Sequence, residues 1–286
     1  MKTRVITAIV GIVVLIGVMF TFDTLIFNLV IAAITLIAIH EIYNALGFEK
    51  KDWLMYAVMV PYTLLVMFSN YSVMRKLVMP MSFVLVTFYA IYLVVRNGTI
   101  SYQKASGLLV FSGIVIFCFY SFILLKERLP VEQYGYDAVF FILLILCFAW
   151  GGDTCAYFAG RAFGKHKLCP VVSPKKTVEG AIGGVLGTMV FGVIATLVYS
   201  VAADRMEEFT RTNIGVSLYV VIALLACVAA VLGIYGDLFA SVVKRQCGIK
   251  DYGTIFPGHG GILDRFDSVM FIAPFVTMVI TAVFYR

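Results

Sequence analysis

The composition of this 286-residue chain is that of a membrane protein. Hydrophobic residues make up 62% of the chain and charged residues only 13%, so polar side chains are too few to cover the surface of a water-soluble fold. The net charge of +6 comes from Lys and Arg residues that gather in short stretches between apolar runs. This pattern is a membrane topology signal, and no nucleic-acid partner is expected.

Nine apolar stretches in the chain predict transmembrane helices. A helix needs about 20 apolar residues to cross a hydrocarbon core about 30 Å thick. The predicted spans are 5–22, 24–41, 53–69, 77–95, 106–125, 138–160, 180–202, 215–241 and 268–285. We therefore expect an all-α, polytopic integral membrane protein with about nine transmembrane helices in a lipid bilayer.

The chain shows no internal repeat and no low-complexity linker, so residues 1–286 are interpreted as a single membrane domain. Residues 1–137 carry few ionisable groups within their spans and are expected to be mainly structural, whereas residues 138–286 carry nearly all the candidate chemistry. With nine spans, most Lys and Arg residues fall on the same side as the N-terminus. Because cytoplasmic loops hold the excess of these residues, that side is predicted to be cytoplasmic.

Acidic residues in or beside the predicted spans are the first candidates for chemistry, because a carboxylate in lipid is costly. Glu41, Asp153, Glu179 and Asp237 are all predicted to lie toward the cytoplasmic ends of their spans. Together they indicate a polar cavity. Glu41 taken alone is interpreted as a helix-end carboxylate that reaches toward the headgroups.

The segment from Asp237 to Arg245 is rich in polar groups. On a helix, Asp237, Ser241, Lys244 and Arg245 share one face, because their spacing is i, i+4, i+7 and i+8. That face offers a carboxylate, a hydroxyl and two cations. Basic helix ends also anchor helices at the interface, so Lys244 and Arg245 alone would indicate no function.

A glycine-rich segment follows. Gly258, Gly260 and Gly261 allow positive φ, so successive N–H groups can turn toward one anion, and His259 between them is placed to touch a phosphate. Glycines in a loop between helices also serve simply to turn the chain.

Two aspartates open the last predicted span. Asp264 and Asp267 stand at i and i+3, so they are predicted to lie on one side of the first turn of that helix. Carboxylates so close repel each other unless a cation or a proton lies between them, although one of them can also compensate the helix dipole. With Asp237 they predict a site of oxygen ligands that suits Mg²⁺.

The loop between the sixth and seventh predicted spans is basic. Its cations are Arg161, Lys165, Lys167, Lys175 and Lys176. Such a loop can be a topology determinant, a contact for anionic lipids or a phosphate-binding element. Ser173, Thr177 and Glu179 are typical of helix capping, which would hold Lys175 and Lys176 beside a positive dipole end.

These motifs resemble those of the phosphatidate cytidylyltransferases, also called CDP-diglyceride synthases. The C-terminal signature of that family is matched by Ser241-Val-Val-Lys244-Arg245, then Lys250-Asp251, then Pro257-Gly258-His259-Gly260-Gly261-Ile262-Leu263-Asp264-Arg265-Phe266-Asp267. Its central block is similar to Asp153-Thr154 with Ala156-Tyr157, to residues 160–165, and to Ser173-Pro174-Lys175-Lys176-Thr177 with Glu179-Gly180. The resemblance covers residues 150–267.

The resemblance implies an enzyme, a nucleotidyltransferase of phospholipid synthesis in the bacterial inner membrane, with its active site facing the cytoplasm. The reaction would be Mg²⁺-dependent transfer of CMP from CTP to phosphatidate, giving CDP-diacylglycerol and pyrophosphate. The partners are then CTP, phosphatidate and the bilayer. Whether a second cation binds, and whether the protein forms a homodimer, stay open.

The resemblance also implies roles for individual residues. The expected catalytic residues are Asp237, Asp264, Lys244 and Arg245. The expected metal ligands are Asp237, Asp264 and Asp267. The expected substrate-binding residues are Asp153, Lys175, Lys176, Ser173, Ser241, Lys250, Gly258, His259, Gly260, Gly261 and Arg265.

A membrane transporter of an anionic or lipid substrate is the alternative interpretation, because transporters also carry intramembrane carboxylates and basic clusters. A transporter would be expected to show repeat symmetry, whereas the candidate groups here are predicted on one side of the membrane.

Overall fold

The structure is a computed structural model that describes residues 2–205, 210, 215–256, 258 and 260–283. The chain divides into two compact units. The first unit is Met1–Ile123 with Gln246–Arg265, and the second unit is Leu124–Arg245 with Phe266–Arg286. The single membrane domain predicted from the sequence stays a prediction.

The predicted all-α membrane architecture is confirmed. Six of the described helices are long and apolar enough to cross a membrane, namely Leu25–Ala45, Ser72–Val95, Tyr102–Arg128, Asp137–Phe163, Val178–Ala203 and Val216–Gln246. Two shorter apolar helical stretches are Ile9–Phe20 and Val269–Ala282. The count of nine spans therefore stays a prediction.

The regular elements that the structure describes in the first unit are helices. Its elements are α1 (Lys2–Phe20), α2 (Leu25–Ala45), a 3-10 turn (Lys50–Asp52), α3 (Leu54–Ala57), α4 (Met59–Met67), α5 (Ser72–Val95), most of α6 (Tyr102–Arg128) and most of α12 (Leu263–Phe266). Thr24 begins α2 as its N-cap, since its hydroxyl accepts the N–H of Ile26 at 3.2 Å.

The predicted third span, 53–69, is not one continuous helix. It is divided into α3 and α4, and the nine residues of α4 reach only about 14 Å at 1.5 Å per residue. Pro61 explains the break, because it has no N–H to donate to the carbonyl of Ala57 and is tolerated only near the start of a new helix.

The second unit contains the remaining elements. They are α7 (Val131–Tyr134), α8 (Asp137–Leu146), a π-helical turn (Cys147–Gly151), α9 (Gly152–Phe163), β1 (Lys167–Cys169), β2 (Ser173–Thr177), α10 (Val178–Ala203), most of α11 (Val216–Gln246) and α13 (Val269–Val283). Strands β1 and β2 pair antiparallel and form a hairpin between α9 and α10. No pattern in the sequence predicted this hairpin.

Small residues let α9 and α10 pack closely along their length. A Cβ added at Gly184 would lie 3.0 Å from the methyl group of Ala156, and one added at Gly180 would lie 2.9 Å from the carbonyl oxygen of Ala156. Glycines 180, 183, 184 and 187 recur at helical spacing, so they share one face of α10. Small residues allow helices to approach each other closely in lipid. The contact between α9 and α10 thereby fixes both ends of the hairpin that joins them.

Replacing Gly184 by Leu is expected to destabilise the protein, because the new side chain would have to enter the contact between α9 and α10. Overpacking of this kind costs about 1–3 kcal/mol. Thermal unfolding in detergent should therefore show a Tm several degrees lower. Gly113→Leu in α6 is the matched control, since nothing lies within 4 Å of a Cβ built there. An equal loss of Tm in both variants would contradict the packing role.

Candidate active site

Five polar side chains of the second unit form a cluster, which we call the carboxylate cluster. It comprises Asp153 of α9, Lys176 of β2, Asp237 of α11, and Asp267 and Ser268 of the turn before α13. The turn can approach α11 because position 236 is glycine. A Cβ there would lie 2.5 Å from the carbonyl oxygen of Asp267.

Asp237 is balanced by a lysine. Its Oδ2 atom lies 2.5 Å from Nζ of Lys176, and about a quarter of each side chain is exposed (25% for Lys176 and 23% for Asp237). Its Oδ1 atom accepts a hydrogen bond from the hydroxyl of Ser241 at 3.3 Å. The predicted shared face of Asp237 and Ser241 is therefore confirmed, and Lys176 is brought to this face from the hairpin.

Ser268 holds the other two carboxylates. Its hydroxyl donates to Oδ2 of Asp153 at 2.9 Å, and its backbone N–H donates to Oδ1 of Asp267 at 2.9 Å. Ser268 is buried. Asp153 and Ser268 also line a small cavity whose other lining residues are mostly apolar. Ser268 was not among the predicted site residues, and its only signal in the sequence is its place directly after Asp267.

Asp267 lies in an environment that disfavours a negative charge. Burial raises the pKa of the Asp267 carboxyl above its usual range, and the charges of Asp237 and Asp153 raise it further. Lys244 and the N–H of Ser268 act in the opposite direction. The three carboxylates therefore repel one another, and added positive charge beside Asp267 would relieve that repulsion.

The donor set of this cluster fits a hard divalent cation. Mg²⁺ takes oxygen ligands and is usually held by one or two carboxylates together with waters and substrate phosphates. Asp237 and Asp267 supply such oxygens. Within the described part of the chain, no three His, Cys, Asp or Glu side chains form a group that could hold a metal ion. The assignment of Asp237, Asp264 and Asp267 to a metal stays a prediction.

The basic hairpin is held by capping interactions. Thr177 is the N-cap of α10, and its hydroxyl accepts the N–H of Gly180 at 3.1 Å, as the sequence predicted. The Glu179 carboxylate accepts the N–H groups of Lys165 and His166 at 3.1 and 3.2 Å and lies 2.6 Å from Nδ1 of His166. Glu179 thus holds the start of the hairpin.

The remaining predicted phosphate-binding cations of this unit are exposed or half-buried. Lys175 is exposed on β2, as is Pro174 before it, whereas Ser173 at the start of the strand is half-buried. Arg245 is exposed near the end of α11, with Nε 3.5 Å from the carbonyl oxygen of Val172 in the hairpin turn. Lys244 is half-buried.

The first unit contains a second predicted element, which we call the glycine-rich turn and whose described residues are Phe256, Gly258 and Gly260. The N–H of Phe256 donates to the carbonyl of Gly260 at 2.9 Å, which closes the turn. Gly258 and Gly260 take φ of 79° and 85°, a conformation that side chains other than glycine rarely adopt. His259 and Pro257 lie outside the described residues. Gly258 is exposed.

Two carboxylates anchor this turn, and we call Glu41 and Asp264 the anchor carboxylates. Oε1 and Oε2 of Glu41 accept the N–H groups of Ile262 and Leu263, each at 2.9 Å. Oδ2 of Asp264 accepts the N–H groups of Tyr252 and Gly261 at 2.8 and 3.0 Å. Lys250, Asp251 and Arg265 lie nearby in the sequence and are exposed.

Two sequence interpretations are corrected here. Glu41 lies near the end of α2, as predicted, but its side chain does not reach toward the headgroups, because it is only 4% exposed and is bound by backbone N–H groups. Asp264 and Asp267 do not share the first turn of one helix. Helix α12 ends at Phe266 and α13 begins at Val269. The Asp267 side chain accepts the N–H of Ser268, a local bond that competes with helix continuation.

Comparison with known proteins gives one family match over almost the whole chain and relatives that match over different lengths. A sequence model of the cytidylyltransferase family matches residues 2–283. A phosphatidate cytidylyltransferase of Bacillus subtilis (strain 168) is 36% identical over 186 residues, which are 65% of this chain and 61% of that protein. One of Staphylococcus haemolyticus is 30% identical over 293 residues, 98% of this chain and 99% of that protein. One of Staphylococcus saprophyticus is 40% identical over 144 residues, 50% of each. The resemblance carried by the sequence motifs is confirmed.

A double-mutant cycle can measure the interaction between Lys176 and Asp237. Lys176→Met and Asp237→Asn should each lower the Tm, because each leaves a partly buried charge without its partner. The double variant should lose less than the sum of the two, with a coupling of about 1 kcal/mol or more. Strictly additive losses in thermal unfolding would show that the two side chains do not interact.

Proposed function

Because the chain belongs to the cytidylyltransferase family, we propose that it transfers the CMP group of CTP to phosphatidate, giving CDP-diacylglycerol and pyrophosphate. The observation that carries this proposal is the carboxylate cluster with its lysine, set among membrane-spanning helices of a chain that aligns over its full length with a relative of that name. A transporter is not carried forward, since the family is one of enzymes.

The proposed reaction needs little chemistry from the protein. A phosphate oxygen of phosphatidate attacks the α-phosphorus of CTP, a new P–O bond forms, and the bond from the α-phosphorus to the bridging oxygen breaks as pyrophosphate leaves. The second pKa of a phosphomonoester is about 6, so the attacking phosphate is already mostly dianionic near neutral pH. No general base is therefore required, and catalysis consists of alignment and charge neutralisation.

We assign the charged residues accordingly. Asp237 and Asp267 would hold Mg²⁺, which when bound would neutralise phosphate charge and polarise the reacting phosphoryl group. Asp153 accepts a hydrogen bond from the hydroxyl of Ser268, and these two residues line a small cavity. Asp264 stays a proposed ligand, although its Oδ2 atom already takes two backbone hydrogen bonds.

Cations and backbone N–H groups would hold the phosphates. Lys175, Lys176, Lys244 and Arg245 are the proposed partners of phosphate oxygens. The glycine-rich turn is proposed to receive pyrophosphate or CTP through its backbone, because positive φ at two positions allows N–H groups to turn toward an anion. The proposed substrate-binding residues also include Ser173, Ser241, Lys250, His259 and Arg265.

We also propose that the protein lies in the bacterial inner membrane with its site on the cytoplasmic side. The excess of Lys and Arg in the loops of the N-terminal side supports this orientation. The substrates support it too, since CTP is a soluble nucleotide and phosphatidate is a membrane lipid.

Purified protein given phosphatidate, CTP and Mg²⁺ is expected to release pyrophosphate and to form CDP-diacylglycerol in equal amounts. Asp237→Asn should lower kcat by at least about 10³-fold, because it removes a carboxylate from the proposed metal site. Asp204→Asn, at an exposed position after α10, is the control and should keep full activity. Near-normal turnover by Asp237→Asn at saturating Mg²⁺ would refute its role.

Lys175→Ala should raise the KM for CTP or for phosphatidate by about tenfold, the loss of roughly 1.4 kcal/mol of binding. Its exposure predicts an unchanged Tm. Lys167→Ala is the control on the other strand of the same hairpin and should leave both KM values within twofold. Equal kinetic parameters for Lys175→Ala and the wild type would remove Lys175 from the site.

A further inference from the structure

We infer that Glu41 is a positioning residue for the reaction, holding the glycine-rich turn in the shape in which its N–H groups meet the phosphates of CTP. The inference rests on the proposed function and adds to it a residue from the second helix of the chain. Glu41 itself is not proposed to contact a substrate. It acts through the backbone that it binds.

The first observation is the set of donors around Glu41. Both carboxylate oxygens accept a backbone N–H at 2.9 Å, from Ile262 and Leu263, more than 200 residues further along the chain. The side chain is almost fully buried, at 4% exposure. A buried carboxylate is costly unless it is bound by donors, and hydrogen bonds to a charged acceptor are about twice as strong as neutral ones. Both carboxylate oxygens of Glu41 are therefore bound to the segment after the turn.

The second observation is that two glycines make room for the carboxylate. A Cβ added at Gly253 or at Gly261 would overlap the Glu41 carboxyl group. These glycines lie on either side of the turn in the sequence. The backbone on both sides therefore reaches Glu41 only because neither position carries a side chain.

The third observation is that a second carboxylate, Asp264, fixes the base of the turn. Asp264 accepts the N–H of Tyr252 before the turn and that of Gly261 after it. Tyr252 is buried, with its ring 5.9 Å from that of Phe111 of α6. The base of the turn is fixed while Gly258 at its tip stays exposed. An element that is already ordered loses less entropy when it binds.

The decisive test compares kcat and the two KM values of Glu41→Gln with those of the wild type. The amide keeps the shape of the side chain but offers one acceptor oxygen, and its NH₂ group would face a backbone N–H. We expect the KM for CTP to rise at least tenfold at saturating Mg²⁺, with the KM for phosphatidate unchanged and kcat within threefold. A purely structural role would lower the active fraction, and so the apparent kcat, and would leave both KM values unchanged.

Asn28→Ala is the matched control in the same helix. Asn28 is fully buried and donates to the carbonyl of Met67 at 2.7 Å and to Oδ1 of Asn70 at 3.1 Å. Its loss should lower the Tm without changing the KM for CTP. A rise in the KM for CTP of Asn28→Ala equal to that of Glu41→Gln would overturn the inference. Any destabilisation of the unit would then be enough to raise this KM.

Hydrogen exchange of the wild-type protein tests the anchoring without a variant. The amides of Tyr252, Gly261, Ile262 and Leu263 should be protected in the absence of CTP. Fast exchange at Ile262 and Leu263 would overturn the inference even if Glu41→Gln cannot be purified. Glu41→Asp, whose shorter side chain reaches less far, should show an intermediate KM.

The outcomes separate the inference from the proposed function. If the wild type makes no CDP-diacylglycerol from CTP and phosphatidate, the proposed function fails, whatever the exchange data show. If the wild type is active and the KM for CTP of Glu41→Gln equals that of the wild type, the proposed function stands and the role of Glu41 is refuted.

Discussion

The constraint on which this structure depends is that a carboxylate cannot be buried among apolar helices without donors or opposite charge. Removing an ionised group from water costs several kcal/mol unless hydrogen bonds or a counter-ion compensate it. Asp237 has Lys176 and Ser241, whereas Glu41 has two backbone N–H groups. The polar contacts of each unit are arranged around this requirement.

The way in which each carboxylate is compensated separates two kinds of acidic residue. The anchor carboxylates are bound by backbone N–H groups, which fixes the path of the chain. Asp153 and Asp267 are held through one serine, and Asp237 through a lysine on a separate strand. Side-chain partners can rearrange more easily than a backbone, so the carboxylate cluster is better suited to exchange partners with ligands, and the anchor carboxylates to hold a loop.

The sequence predicted those features that depend on local pattern. Long apolar runs gave the helices, spacing by four residues gave the shared face of Asp237 and Ser241, and capping chemistry gave Thr177. The hairpin was missed because β2 reads Ser-Pro-Lys-Lys-Thr, which lacks the alternation of apolar and polar residues that marks a strand. Glu41 was misjudged because its partners are backbone groups, which leave no mark in the side-chain pattern of a distant segment.

The π-helical turn of Cys147–Gly151 stands immediately before the helix that carries Asp153. A turn of this kind accommodates one more residue than an α-helical turn, and each residue of an α-helix advances the side-chain direction by about 100°. The wide turn thus sets the rotational phase of everything after it. Excising one residue there would leave the helix long enough to cross the bilayer but would swing Asp153 away from Ser268. The direction in which this acid points is thus a property of helix winding as much as of residue identity.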